Sequence, residues 1–228
     1  MGVGQMTSSV CLGYNPEANI KTALEAFENE GIKGKKLFLD LGFPGNGEMA
    51  FVEKLGWERL KAPNKGTAEN WTTAWEYLGQ PLKLIGVEPD EVPSKGWYRA
   101  IEDVLDDPSV GVASTFHITI HDEVAMPLLK PPIIEIKGHR CVEFPEGWPT
   151  PWPAIGVHKR LIKCGLKSRG FYGELERMTK EWCKTLGLRV VHLMDYKTEH
   201  LTCDERYEKW KVLSNDKTYN KSYEEFIK

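Results

Sequence analysis

Apolar positions in the first half of the chain follow two spacings in turn. Short apolar runs at 8–13, 37–41 and 82–87 alternate with stretches where apolar residues recur every three or four positions. Continuous runs of five or six predict strands buried on both faces, and the wider spacing predicts helices with one core-facing stripe. Ile20, Ala23, Leu24 and Phe27 form the first such stripe, with Asn15 as its cap and Pro16 at the favoured first helical position. A turn at 42–47 leads into a second helix near 48–55. Trp71, Ala74, Trp75 and Leu78 predict a third helix stopped by Gly79, and Trp97, Ile101, Val104 and Leu105 a fourth.

The second half is less regular. Residues 110–120 are rich in β-branched side chains and read as a strand, and 133–137 as another. Residues 145–153 hold Pro145, Pro149, Pro151 and Pro153 with Trp148 and Trp152, a loop-like composition. Leu175, Met178, Trp182 and Leu186 mark a late helix ended by Gly187, and 188–194 a last strand. Alternating strands and helices predict an α/β fold, with a mostly parallel central sheet flanked by helices. One domain over 1–200 and a polar, partly helical tail over 201–228 account for the chain.

Composition narrows the function classes. At 228 residues, 41% hydrophobic and 28% charged, the chain is of globular type with enough length for a sizeable core. A formal net charge of -3 gives no strong sign of nucleic-acid binding. Cys11, Cys141, Cys164, Cys183 and Cys203 are odd in number and contain no C-x-x-C pair, so reduced thiols in a cytoplasmic protein are expected. No apolar run reaches the roughly 18 residues of a membrane span, and residues 1–7 lack the pattern of a signal peptide.

The sharpest chemical signal is Glu88-Pro89-Asp90 at the end of a strand-like run. In extended backbone, residues two apart point to one side, so both carboxylates can face one site. Mg²⁺ and Mn²⁺ favour oxygen ligands and bridge carboxylates to substrate phosphates. A solvated acidic turn, continued by Glu91 and Pro93, is the plainer reading of the same residues.

The order of motifs around this turn resembles the family 2 inverting glycosyltransferases over about residues 8–200. Leu12-Gly13-Tyr14-Asn15-Pro16 is similar to that family's opening strand–turn–helix. Leu39-Asp40-Leu41-Gly42 with Gly45-Asn46-Gly47 resembles its second strand and Gly-rich turn, and Asn64-Lys65-Gly66 with Asn70 its Asn-x-Gly element. Glu88-Pro89-Asp90, then Pro93 to Trp97, resembles its metal motif and following helix start, with Glu88 standing where Asp is commoner.

The resemblance implies a GT-A fold (Rossmann-like, the nucleotide-diphospho-sugar transferase type) and transfer of a sugar to an acceptor hydroxyl. The donor would be a UDP-, GDP- or dTDP-sugar, with Mn²⁺ or Mg²⁺ as cofactor. It implies that Gly13, Tyr14, Asn15 and Asp40 contact the nucleoside. Asn64, Gly66 and Asn70 would lie near the ribose or diphosphate. Glu88 and Asp90 would position the metal, Glu88 also approaching the nucleotide-sugar. His200 stands where some relatives place a metal-contacting histidine, although a lone loop histidine is more often simply exposed. The catalytic base of an inverting transfer is implied near Phe171-Tyr172-Gly173-Glu174-Leu175-Glu176, as Glu174 or Glu176. Both acids also suit a helix N-terminus electrostatically.

Other readings compete. Asp40-Leu41-Gly42 through Gly47 also resembles the glycine-rich turn of an S-adenosylmethionine-dependent methyltransferase, but 60–64 lacks the acid such a site wants. A nucleotidyltransferase on a related fold would also use carboxylates and a metal, but the sequence has no basic Gly-rich phosphate loop near the N-terminus. A non-enzymatic descendant that binds a sugar or a partner is the third alternative. Trp71 and Trp75 are expected in the core. The segment 148–152 reads as packing or as an acceptor platform.

Overall fold

The computed structural model describes residues 7–13, 20–42, 49–65, 67–89, 91–117, 130–143, 155–158 and 181–200. In chain order the elements are β1 (Thr7–Gly13), α1 (Ile20–Glu28), β2 (Lys36–Asp40), α2 (Met49–Lys54), β3 (Glu58–Lys61), α3 (Thr67–Tyr77), β4 (Lys83–Val87), β5 (Glu91–Pro93), α4 (Trp97–Val104), β6 (Val110–His117), β7 (Ile133–Ile136), β8 (His139–Val142), β9 (Ile155–His158) and β10 (Arg189–His200). Residues 181–185 are also helical.

Among the described residues, one sheet carries all ten strands in the order β3-β2-β1-β4-β9-β6-β10-β8-β7, with β5 paired to β10. The first four in that order are parallel. β9 enters antiparallel between β4 and β6, and β10 runs parallel to β6. The mostly parallel sheet read from the periodicity is therefore present on one side, with antiparallel strands added on the other.

Burial on both faces explains why β1, β2 and β4 are continuous apolar runs. Cys11, Phe38, Ile85 and Val87 face a core completed by α1, α2 and α4. Val10, Leu12, Leu37, Leu39 and Leu84 face the other side, against α3. On the first face Phe27 meets Trp57, Trp97 and Tyr98 edge-to-face at centroid separations of 5.2, 5.0 and 6.1 Å. Each such ring removes roughly 150–250 Å² from water, on the order of 4–6 kcal/mol of transfer free energy before the entropy of ordering is subtracted. Trp71 and Trp75 lie in the core of α3 as expected, and Trp75 donates its indole N–H to Pro81 O at 2.9 Å.

Four strands do not follow from the sequence pattern. β3 is a short, charged edge strand, where polarity protects an exposed edge. β5 has three residues and ends in Pro93, tolerated at an edge because its missing N–H costs no ladder bond there. β8 forms a hairpin with β7 through Lys137 and Gly138, both at positive φ. β9 follows the proline-rich stretch and is short. The last strand also outruns its expected end at 194: β10 continues to His200, so this residue is the end of a strand and not a loop histidine. The 145–153 segment, residues 171–176 and the 201–228 tail lie outside the described residues.

Candidate active site

Parallel strands end together, so their carboxyl ends deliver side chains to one edge. Gly13, the last residue of β1, is the Cα partner of Asp40, the last of β2, and Asp40 is the partner of Lys61, the last of β3. On the other side of β1, Cys11 partners Val87, which puts Glu88 just beyond the end of β4 on this same edge. Adjacent strands are roughly 4.8 Å apart. Gly13, Asp40 and Glu88 thus share one rim of the sheet, close enough for one ligand to span.

Each residue of the rim is held by an identifiable contact. A Cβ at Gly13 would come within 2.2 Å of the Phe38 ring, so glycine is demanded here by packing. Asp40 is almost fully buried. Its Oδ2 accepts from Arg59 Nε at 3.0 Å and from Nη2 of the same guanidinium, and its Oδ1 accepts from Gly42 N at 3.1 Å. Gly42 has φ 97°, the left-handed conformation that such a tight turn asks of glycine. This carboxylate is therefore held by the protein as well as placed on the rim of the sheet.

Asn70, buried in the first turn of α3, folds the preceding loop onto the helix. It donates from Nδ2 to Asn64 Oδ1 at 3.0 Å and accepts from Lys65 N at 3.3 Å. Asn64 itself is exposed. The two asparagines read from the sequence are thus one unit, the buried member positioning the exposed one.

At the end of β4, Glu91 N donates to Glu88 O at 3.2 Å, and Glu91 Oε2 accepts from Glu88 N at 2.9 Å. The turn is closed twice between the same two residues. Glu91 is 4% exposed. From there β5 runs antiparallel to β10, with His200 partnering Glu91, Glu199 partnering Val92 and Thr198 partnering Pro93. Two further bonds extend the pairing, Ser94 N to Lys197 O at 2.7 Å and Lys197 N to Ser94 Oγ at 3.0 Å. Residues 194–196 bulge out of the β6–β10 pairing, and β10 exchanges β8 for β5 as its edge neighbour across that bulge. Bulges re-aim strands in this way. The buried hydroxyls of Thr115 and Thr198 meet at 2.6 Å and tie the strands again beyond it.

The structure thereby brings Glu88 and the backbone of His200 to one turn. Tyr14, Asn15, Gly66, Asp90, Glu174 and Glu176 lie outside the described residues. Among the described residues, no group of three His, Cys, Asp or Glu side chains forms a metal cluster; Asp90 and the side chain of His200 stand outside that count. The donors that the turn offers are carboxylate oxygens and, in sequence, an imidazole. Such donors fit Mn²⁺ or Mg²⁺ by chemical type. Arg59 and Glu91 are the site residues that the sequence reading missed. Arg59 belongs to a short charged edge strand, and Glu91 reads locally as one more acid of an exposed turn.

The chain matches no family model and no curated protein by sequence. Solved structures resemble it in fold. GalNAc-T7, determined with UDP, GalNAc and Mn²⁺, superposes with a TM-score of 0.65 at 8% identity, over 88% of this chain and 44% of that one. A mycobacterial protein gives 0.60 at 15% identity, over 86% of this chain and 68% of that one. Residues 1–349 of S. aureus TarS in complex with UDP-GlcNAc give 0.59 at 16% identity, over 86% of this chain and 60% of that one. The chain spans about half the length of GalNAc-T7. With helices on both faces of the sheet, a parallel β3-β2-β1-β4 half and these neighbours, the chain has the GT-A fold of nucleotide-sugar glycosyltransferases.

Proposed function

We propose that the chain transfers a sugar from a nucleotide-diphosphate sugar to an acceptor hydroxyl, with inversion at the anomeric carbon. The observation that carries this reading is the shared carboxyl edge of β2, β1 and β4, which gathers Asp40, Gly13 and Glu88 in a GT-A sheet. Ligands of open α/β sheets lie across that edge. In this reading the nucleoside rests against the 13–15 turn and Asp40, with Arg59 orienting the carboxylate. Asn64, set by Asn70, and Gly66 line the way to the diphosphate. Glu88, Asp90 and His200 are the residues that would hold a divalent cation. When bound, the cation offsets the charge that develops on the departing diphosphate.

Glu174 or Glu176 accepts the proton of the acceptor hydroxyl. The acceptor oxygen bonds to the anomeric carbon as that carbon's bond to the phosphate oxygen breaks, and the nucleoside diphosphate leaves with the electron pair. Proton removal in step with attack supplies about 10²–10⁴ in rate where a carboxylate is positioned for it. UDP-sugars are the first donors to test, because UDP is bound in one solved structure of this fold and UDP-GlcNAc in another.

The test is calorimetric titration of UDP, GDP and dTDP, each with and without Mn²⁺, on the wild type and Asp90→Ala. Metal-dependent binding of one nucleotide, lost in the variant, is the expected result. Binding of S-adenosylmethionine in place of all three would overturn the reading.

A further inference from the structure

The structure assigns to Glu91 a role that a solvated acidic turn does not predict: we propose that it is the positioning residue that locks the Glu88–Asp90 turn to the end of β10 at His200. The inference rests on the transferase reading above and goes beyond it, because Glu91 is not itself among the residues that would hold the cation.

Three observations lead there. First, Glu91 begins a strand at a nearly water-free position. A buried carboxylate is costly, and it is kept where its oxygens satisfy specific donors. Second, it accepts from Glu88 N at 2.9 Å, while its own N–H returns to Glu88 O at 3.2 Å. The side chain and the main chain of one residue thus close both ends of the turn that contains Pro89 and Asp90. Third, the ladder partner of Glu91 is His200. Cα atoms of directly opposed antiparallel residues lie roughly 4.5–5.5 Å apart, so the neighbour of Asp90 is fixed against the neighbour of Glu199. Val92, Pro93 and Ser94 continue the same attachment along β10.

The consequence is geometric. Glu88 and Asp90 come from the end of β4, and His200 from the end of β10, 110 residues after Asp90 by subtraction of their positions. β9 and β6 separate those two strands in the sheet. β5 crosses that gap, and Glu91 is the residue at which the acidic turn enters β5. Cation sites depend on such supporting contacts, whose loss typically costs 10–100-fold in affinity.

The experiment is Mn²⁺ titration of the whole chain in the presence of UDP, followed by the electron paramagnetic resonance signal of free Mn²⁺. Wild type, Glu91→Gln and Glu91→Val are compared, well below the unfolding temperature of each. The amide of glutamine retains an oxygen that accepts from Glu88 N; valine retains burial and strand propensity without an acceptor. The expected outcome is Mn²⁺ affinity within about threefold of wild type for Glu91→Gln and at least about tenfold weaker for Glu91→Val. Should Glu91→Val not fold, Glu91→Asp, which withdraws the acceptor from Glu88 N, carries the same expectation. Wild-type affinity in the acceptor-free variant overturns the positioning role and leaves the transferase reading standing. Equal loss in Glu91→Gln overturns it too, since charge and not acceptor geometry would then matter. Failure of the wild type to bind Mn²⁺ with UDP, GDP or dTDP overturns both.

Discussion

The two ends of the central sheet treat charge differently. At the amino ends of β1 and β4, Thr7 and Lys83 are Cα partners, and both are buried. Thr7 donates to Glu102 Oε1 at 2.6 Å; Lys83 donates to Glu102 O at 2.8 Å and pairs with Asp106 at 2.6 Å. Nearby, Ser9 and Tyr98 join hydroxyls at 3.0 Å, and burial raises the Tyr98 pKa well above its ordinary value. Here the buried cation Lys83 is matched by an acid, Asp106, within the fold. At the carboxyl ends, Glu88, Asp90 and Glu91 fall within four residues, and the contacts that close their turn run between Glu88 and Glu91 themselves. Asp40, with Arg59, repeats the amino-end pattern there. Matched charge of opposite sign serves stability, whereas acids gathered in one short turn are the arrangement that the proposed cation would complete.

That contrast can be broken by experiment. The largest effect is expected from Asp90→Ala: sugar transfer falls by about a hundredfold or more, the loss seen when a group stabilising transition-state charge is removed, while thermal unfolding barely moves. A collapse in unfolding temperature would place Asp90 with the structural charges. Arg59→Met should act on both sides of the comparison. It leaves a buried carboxylate without its cation, lowering stability by about 2 kcal/mol in urea unfolding, and it weakens nucleotide binding through Asp40. Stability loss with unchanged binding would remove Asp40 from the site.

Lys83→Met probes the amino end alone. It keeps the buried stem but strands Glu102 O and releases Asp106, which is half exposed, so a loss of about 1.5 kcal/mol is expected. Transfer activity below the unfolding temperature should stay at the wild-type level. Smaller still is the effect of acid on Asp107, whose pKa is lowered by the Ser109 hydroxyl and backbone N–H, at 2.6 and 2.8 Å. A lowered folded-state pKa means that its stabilisation is present above the ordinary carboxylate range and is lost as the pH falls through the folded value. Asp107→Asn should therefore flatten the stability profile slightly below the ordinary carboxylate range, by a few tenths of a kcal/mol at this largely solvated site. An unchanged profile would mean that the Ser109 contacts carry no charge-dependent stability.

How much of this was legible beforehand depended on where the signal resides. α1, α3 and α4 and strands β1, β2 and β4 are written in local periodicity, because a stripe or a run must match a face that is buried. Ile20, Ala23, Leu24 and Phe27 were read as one helical face and are all buried in α1. The acidic turn at the end of β4 was legible for the same reason, since a buried strand must stop where Glu88 begins. β3 and β5 were not, being three or four residues long and stabilised by pairing rather than by burial of a pattern.

The sequence by itself determined the α/β class, the order of the early elements, the core tryptophans and the edge at which the acids collect. These depend on which residues are apolar and how they are spaced. Only the tertiary structure decided that β9 runs antiparallel through the sheet, that Arg59 holds Asp40, that His200 ends a strand, and that Glu91 sits opposite it. Each of those is a pairing between segments 19 to more than 100 residues apart, and local spacing carries no term for a distant partner. Loop closure and two-sided burial select the partner only when the whole chain is packed.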